Sequence, residues 1–235
     1  MSGTVQNQLS TGEAFEFGAA LMQQLGRDID PDKARYYIAH KKQLGDDLRK
    51  LGIHKMPEFD AAWWEQFYLK HFDLTVDLLA LHIPAKPAYA CRAIVIVPGI
   101  TNNQVFDACT KAFKTWRYDS DLNTVCDIVK RPEGPYVVWV RDVVEADDKM
   151  KNKSAKDIEV AGTNTLTLKE RMILELAYFD ETGKHLDIDN WTLCAGSRDS
   201  GGRVPHVHWN DDKLHVGWTY VDDRDSYLRA RVAAS

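Results

Sequence analysis

Two short runs near the C-terminus, VPHVHWN (204–210) and LHVGWTY (214–220), constrain the fold more than any other part of the chain. Side chains alternate across a strand, so residues two apart share a face. In the first run Val207 and Trp209 fall on one side, and His206, His208 and Asn210 on the other. In the second run Leu214, Val216, Trp218 and Tyr220 fall on one side, and His215, Gly217 and Thr219 on the other. Asn210-Asp211-Asp212-Lys213 between them is turn chemistry, because Asn and Asp tolerate left-handed backbone. The pattern predicts a β-hairpin with one buried aliphatic and tryptophan face and one exposed face. A loop over 221–227 leads to a last strand, LRARVA, with Leu228, Ala230 and Val232 inward and Arg229 and Arg231 outward.

Upstream the chain reads as helices followed by strands. Asp30-Pro31 is a capping residue before a proline at the first helical position, and Gly52 can end the helix it opens. EFDAAWWEQFYLKHF (58–72) is a second amphipathic helix, with Trp63, Trp64, Phe67 and Phe72 as packing residues. Strands are expected at 73–84 (DLTVDLLALHIP), 92–99 (RAIVIVPG) and 135–144 (PYVVWVRDVV). Thr101-x-x-Gln104 and Thr167-x-x-Glu170 are capping boxes. The first opens a helix with Val105, Ala108, Cys109, Ala112, Phe113 and Trp116 on one face. The second opens a helix with Leu168, Met172, Ile173, Leu176, Ala177 and Phe179 on one face, stopped by Gly183. The polar segment 145–164 reads as an exposed loop, and Asp187-x-Asp189 as capping and surface residues.

Several functional classes are excluded by composition. A net charge of -5 lacks the basic field of a nucleic-acid binder. No stretch approaches the ~20 apolar residues of a membrane span. The N-terminal residues show no basic region before an apolar run, so no signal peptide is expected. Cys91, Cys109, Cys126 and Cys194 form no CxxC pair and read as reduced, mostly buried thiols. Gly99 follows a strand and precedes a helix, but no Lys-Ser/Thr pair accompanies it, and a phosphate loop is not indicated.

The tail from Ala195 to Ser235 has its own composition. It contains no Glu, Gln or Met and a single lysine, Lys213, although it carries six aspartates and five arginines. Strand propensity disfavours Asp more than Glu, so propensity does not account for the missing glutamate.

WTLCAGSRDSGGRVPHVHWNDDKLHVGWTYVDDRDSYLRARVAAS resembles the variable region of a diversity-generating retroelement target protein. More broadly it is similar to the C-type-lectin-fold module shared with formylglycine-generating enzymes. The shared features are a Gly/Ser-Arg turn, tryptophan-containing strands, an Asp-Arg-rich loop and a closing Arg-Val-Ala-like strand. LTLKERMILELAYFDETGKHLDIDNWTLC resembles the segment that leads into that region. The likeness covers roughly the last 70 residues, with the strand near Pro135 fitting as an early strand. It implies an α+β fold, with a helical accessory region over 1–90 and a C-type-lectin-like domain over 91–235 whose variable part spans about 195–235. It also implies a source for the odd composition. Reverse transcription that misreads template adenines turns AAC codons into NNC, which never encodes Glu, Gln, Lys, Met or Trp. Trp209, Trp218 and Lys213 are then fixed framework positions.

The function implied is non-enzymatic binding of a protein or other macromolecule through a diversified surface, without a cofactor and without nucleic acid or direct membrane insertion. The implied location is cytoplasmic or virion-associated, and the oligomeric state is open. The ligand-binding set is Asp199, Val204, His206, His208, Asn210, Asp211, Asp212, His215, Gly217, Thr219, Tyr220, Asp222, Asp223, Asp225 and Tyr227. The scaffold set is Val207, Trp209, Leu214, Val216, Trp218 and Leu228, with Arg198, Arg229 and Arg231 fixing loops. Two alternatives remain. His206, His208 and His215 offer three imidazoles to zinc, the number a catalytic site uses. Trp209-Asn210-Asp211 matches a calcium-lectin tripeptide, though the companion Glu-Pro-Asn is absent and calcium wants six to eight oxygens. Catalysis has little support, since no nucleophile-elbow pattern surrounds Ser200 or Ser226, and Cys194 has no partner cysteine after it.

Overall fold

The computed structural model describes residues 30–40, 43–44, 47, 59–78, 81–88 and 92–235. The chain divides into two compact units, Met1–Leu48 and Arg49–Ser235. This division falls earlier than the boundary expected near residue 90.

In the first unit, α1 (Pro31–Ala39) starts as the sequence predicts. The Asp30 carboxylate accepts from the backbone N–H groups of Asp32 and Lys33, and Pro31 fills the first turn. The helix end expected at Gly52 lies outside the described residues.

The second unit is α+β. Its helices are α2 (Ala61–Phe72), α3 (Asn102–Ala112), α4 (Ala155–Val160) and α5 (Leu168–Thr182). Its strands are β1 (Arg92–Ile96), β2 (Thr115–Arg117), β3 (Cys126–Asp127), β4 (Tyr136–Val140), β5 (Trp191–Leu193), β6 (Ser197–Arg198), β7 (Val204–Asn210), β8 (Lys213–Thr219) and β9 (Leu228–Arg229). β1 and β4 form an antiparallel pair, as do β3 and β6. The remaining five strands form a mixed sheet in the order β2-β8-β7-β5-β9. β7 is antiparallel to β8 and β5, while β2 and β9 join the sheet in parallel at its two edges.

Both capping boxes form. Thr101 and Gln104 exchange bonds at the start of α3, and Thr167 and Glu170 do so at the start of α5. Gly183 ends α5 at φ 67, the left-handed geometry that favours glycine. Buried Leu168, Met172, Ile173, Leu176 and Ala177 of α5 join the main core with Trp64 and Phe67 of α2, β1, β4 and the inner hairpin residues. Each of the larger side chains contributes roughly 1.5–3 kcal/mol on burial.

Three expectations are corrected. Residues 73–78 and 81–84 form no strand; only His82 bridges to Tyr136. The α3 helix stops at Ala112, because Phe113 turns extended, so Trp116 lies on β2 and not on the helix face. The polar segment 145–164 is not a plain loop. It holds a short 3-10 turn (Asp148–Met150) and α4, and Met150, Ala155 and Ile158 build a second, smaller core with Leu193, Ala195, Val204, Leu228 and Ala230. Cys126 is exposed, whereas Cys109 and Cys194 are buried as expected; Cys91 lies outside the described residues.

Asp187 and Arg231 are corrected as well. Neither is a surface group: Asp187 is fully buried and Arg231 only 2% exposed. Asp187 accepts from Arg171 Nε and Nη2 (2.9 and 2.8 Å), from Arg231 Nη2 (2.6 Å) and from the Thr192 hydroxyl. Arg231 also donates to the carbonyls of Val143 and Val144, and Arg171 donates to Glu175. Burial alone would raise the Asp187 carboxyl; Arg231 and Arg171 outweigh it and hold the group below the ordinary carboxylate value. The network ties α5, the 183–190 connection and the C-terminal segment after β9 together.

Candidate functional site

The hairpin has the register that alternation predicts. Val207 faces Val216, Trp209 faces Leu214, His208 faces His215 and His206 faces Gly217. Asp211 and Asp212 form the two-residue turn at φ 49 and 57, the double left-handed geometry whose twist suits a two-residue hairpin. Val207, Leu214, Val216 and Leu228 are buried. Trp209 and Trp218 are half-buried against the main core.

The opposite face carries a row of rings across the five-stranded sheet. Trp116 of β2 packs on His215 of β8 at 5.2 Å between ring centres. His215 stacks on His208 of β7 (5.1 Å), and His208 stacks on Trp191 of β5 (4.1 Å, 12° between planes). Tyr227, just before β9, closes the row against Trp191 at 4.4 Å. His206 stacks on the same indole at 4.5 Å. Register explains the alignment, since Trp116 pairs with His215, and His215 with His208. Pleating then sends these side chains to one side of the sheet.

This row corrects the expectation of a fully exposed face. His206 and His208 are only 7% and 6% exposed. Val204 and Gly217 are also buried, Val204 within the second core. Asp199 is buried too, and it builds the turn between β6 and β7. Its carboxylate accepts from the N–H groups of Gly201 and Arg203 and from Arg203 Nε. Asn210, Asp211, Asp212, Tyr220, Asp222 and Tyr227 are exposed as expected, while His215, Thr219, Asp223 and Asp225 are half-buried. The solvent-facing part of the predicted set is therefore the hairpin tip and the 220–227 loop. To these the fold adds Trp116 and Tyr118, at 45% and 64% exposure, and half-buried Trp191. Sequence reading missed all three as site residues, although Thr115-Trp116-Arg117-Tyr118 alternates like a strand.

The loop is held in place. Asp223 accepts from the Thr219 hydroxyl and the Tyr220 N–H, bonds that hold its carboxyl below the ordinary value. Arg224 makes a two-bond fork to Asp157 of α4, at 2.7 Å each. The Lys156 backbone N–H donates to Val221 O. The three arginines singled out in the tail do bind neighbouring segments. Arg198 donates to the carbonyls of Ala195 and Ser197, Arg229 to Asp148, and Arg231 to the buried network described above.

The imidazoles are electrostatically distinctive. Burial, with the nearby His215 ring adding to it, lowers His206 to about 4. Burial, followed by His206 and His215, lowers His208 to about 3. Both rings are neutral at pH 7, and Nδ1 of each is buried without a hydrogen-bond partner. Among the described residues no group of three or more His, Cys, Asp or Glu side chains is placed to hold a metal ion. Asn210 Nδ2 instead donates to Asp211 within the hairpin tip. No helix among the described residues is long and apolar enough to cross a membrane. No family model, curated protein or solved structure matches the chain.

Proposed function

We propose that this chain is a non-enzymatic ligand-binding protein whose hairpin tip, 220–227 loop and ring row together bind a macromolecular partner. In this reading it is a variable protein of a diversity-generating retroelement, and the second unit takes a C-type-lectin-like fold. One observation carries the proposal. Exposed Tyr118, Trp116, Tyr220 and Tyr227 and the exposed acids Asp211, Asp212 and Asp222 lie on and around the five-stranded sheet. Tyrosine and tryptophan give large contact area at low entropy cost, the chemistry that paratopes use. The acidic groups favour a partner that presents basic side chains, through steering and complementarity. The restricted residue alphabet of the tail supports diversification of the rim.

The reading now separates positions free to vary from positions the fold occupies. Asn210, Asp211, Asp212, Tyr220, Asp222 and Tyr227 are diversifiable, whereas Val204, His206, His208 and Gly217 serve packing and Asp199 holds a turn. The coding sequence tests it. Codons at the rim should end in C, and a near-identical repeat should carry AAC at those positions. Rim codons without that bias, together with the absence of such a repeat near the gene, overturn the retroelement assignment. The binding reading is tested separately, with a partner isolated on the wild-type chain: the double variant Tyr220→Ser, Asp222→Ser should lose it while keeping the wild-type melting temperature.

A further inference from the structure

Away from the ring row, a cleft of about 510 Å³ opens between the β3–β6 pair, α4 and the segment that follows α4. That volume lies in the range of small-molecule sites. One wall is apolar, with Ile158 and Ala195 buried, Val129 half-buried and Ile128 46% exposed at the mouth; Thr163, Asn164 and Thr165 line the polar side. Two lining residues carry charge, Arg198 and Glu159.

Arg198 is held in a fixed pose. Its Nη1 donates to the carbonyls of Ala195 (2.9 Å) and Ser197 (2.8 Å), and the side chain is only 12% exposed. Its Nη2 meets a single oxygen of Glu159 at 3.1 Å, and Nε donates to no described residue. The side-on fork of Nε and Nη2, which matches a carboxylate with two parallel bonds, is therefore half used. Glu159 is a weak occupant, because its side chain is 63% exposed and keeps most of its solvation in water. Burial depresses the Arg198 guanidinium, and Glu159 offsets this incompletely.

We propose that this cleft binds a small monocarboxylate with an apolar body. The carboxylate displaces Glu159 and takes both bonds of the Arg198 fork, while the apolar body covers Ile158, Ala195 and Val129. A phosphate dianion is a poorer match, because the cleft offers one cation and a largely apolar wall beside it.

The test uses the full chain and octanoate, with octan-1-ol as the uncharged control, followed by titration calorimetry and backbone NMR. Octanoate should bind and shift the amides of Ile128, Val129, Ile158 and Ala195, and octan-1-ol should bind more weakly. Glu159→Gln removes the competing anion at an exposed position, and octanoate should then bind about fivefold tighter. Ile128→Glu places a like charge at the mouth without touching Arg198, and binding should weaken about tenfold. Equal binding of acid and alcohol, an unchanged or weaker Glu159→Gln complex, or shifts confined to the sheet face overturns the proposal. None of these readouts depends on the rim residues, so this site and the sheet-face reading fail independently.

Discussion

The His206 ring lies over Gly217, so that a β-carbon at Gly217 would come within 2.7 Å of His206 Cε1 and 2.8 Å of Nε2. The two positions face each other across β7 and β8 and are therefore one packing unit. Gly217→Ala should cost about 1–3 kcal/mol through overpacking. Adding His206→Ala should recover part of that loss, because residues in contact couple. Urea denaturation of both single variants and the double variant measures the coupling. Strict additivity would show that the ring can move aside freely.

Protonation of the stacked imidazoles should make stability pH-dependent. His206 and His208 titrate in the folded chain at about 4 and about 3, below their ordinary value of 6.5. Between those limits the unfolded chain binds protons that the folded chain refuses. Stability is therefore full above about pH 6.5 and falls as the pH drops towards 4. Denaturation midpoints at pH 7.5, 5.5 and 4.5 test the sign. His208→Phe, which keeps a ring against Trp191 but cannot titrate, should flatten the slope.

Arg231 and Arg229 should behave very differently when truncated, although they stand two residues apart. Arg231→Ala leaves the fully buried Asp187 carboxylate with one guanidinium instead of two and should cost about 3–5 kcal/mol. Arg229 pairs with Asp148, whose side chain is 85% exposed, and Arg229→Ala should cost about 1 kcal/mol or less. Thermal unfolding of the two variants decides, and equal losses would contradict the buried-network account.

Loosening the loop anchor should change dynamics more than stability. Arg224→Ala removes the fork to Asp157. Hydrogen exchange of the amides at 220–227 should speed up, while the sheet amides keep their protection. Uniform exchange behaviour in both proteins would show that the Lys156–Val221 backbone bond suffices to hold the loop.

Local rules carried the sequence reading a long way. The hairpin register, the Asp211-Asp212 turn, both capping boxes and the Gly183 stop rest on backbone geometry within a few residues. Misread elements depended on distant partners. Asp187 looked like a surface aspartate because Arg231, 44 residues later, supplies its compensation. The α4 segment looked like loop because its few apolar residues find their cover only in the second core. Trp116 looked helical because apolar spacing alone did not reveal that Phe113 leaves the helix.

The sequence by itself determined which residues share a face of the hairpin, because pleating imposes a period of two on any strand. It could not determine whether that face meets water. The sheet decided this by adding β2 and β5 on either side of the hairpin. Their Trp116 and Trp191 complete a ring row that buries His208, while Leu193 and Leu228 help cover Val204. The histidines that looked like displayed groups are thus largely packing, and the exposed chemistry lies at the tip and rim. Burial is a property of what packs against a residue, and here those partners come from strands remote in the chain.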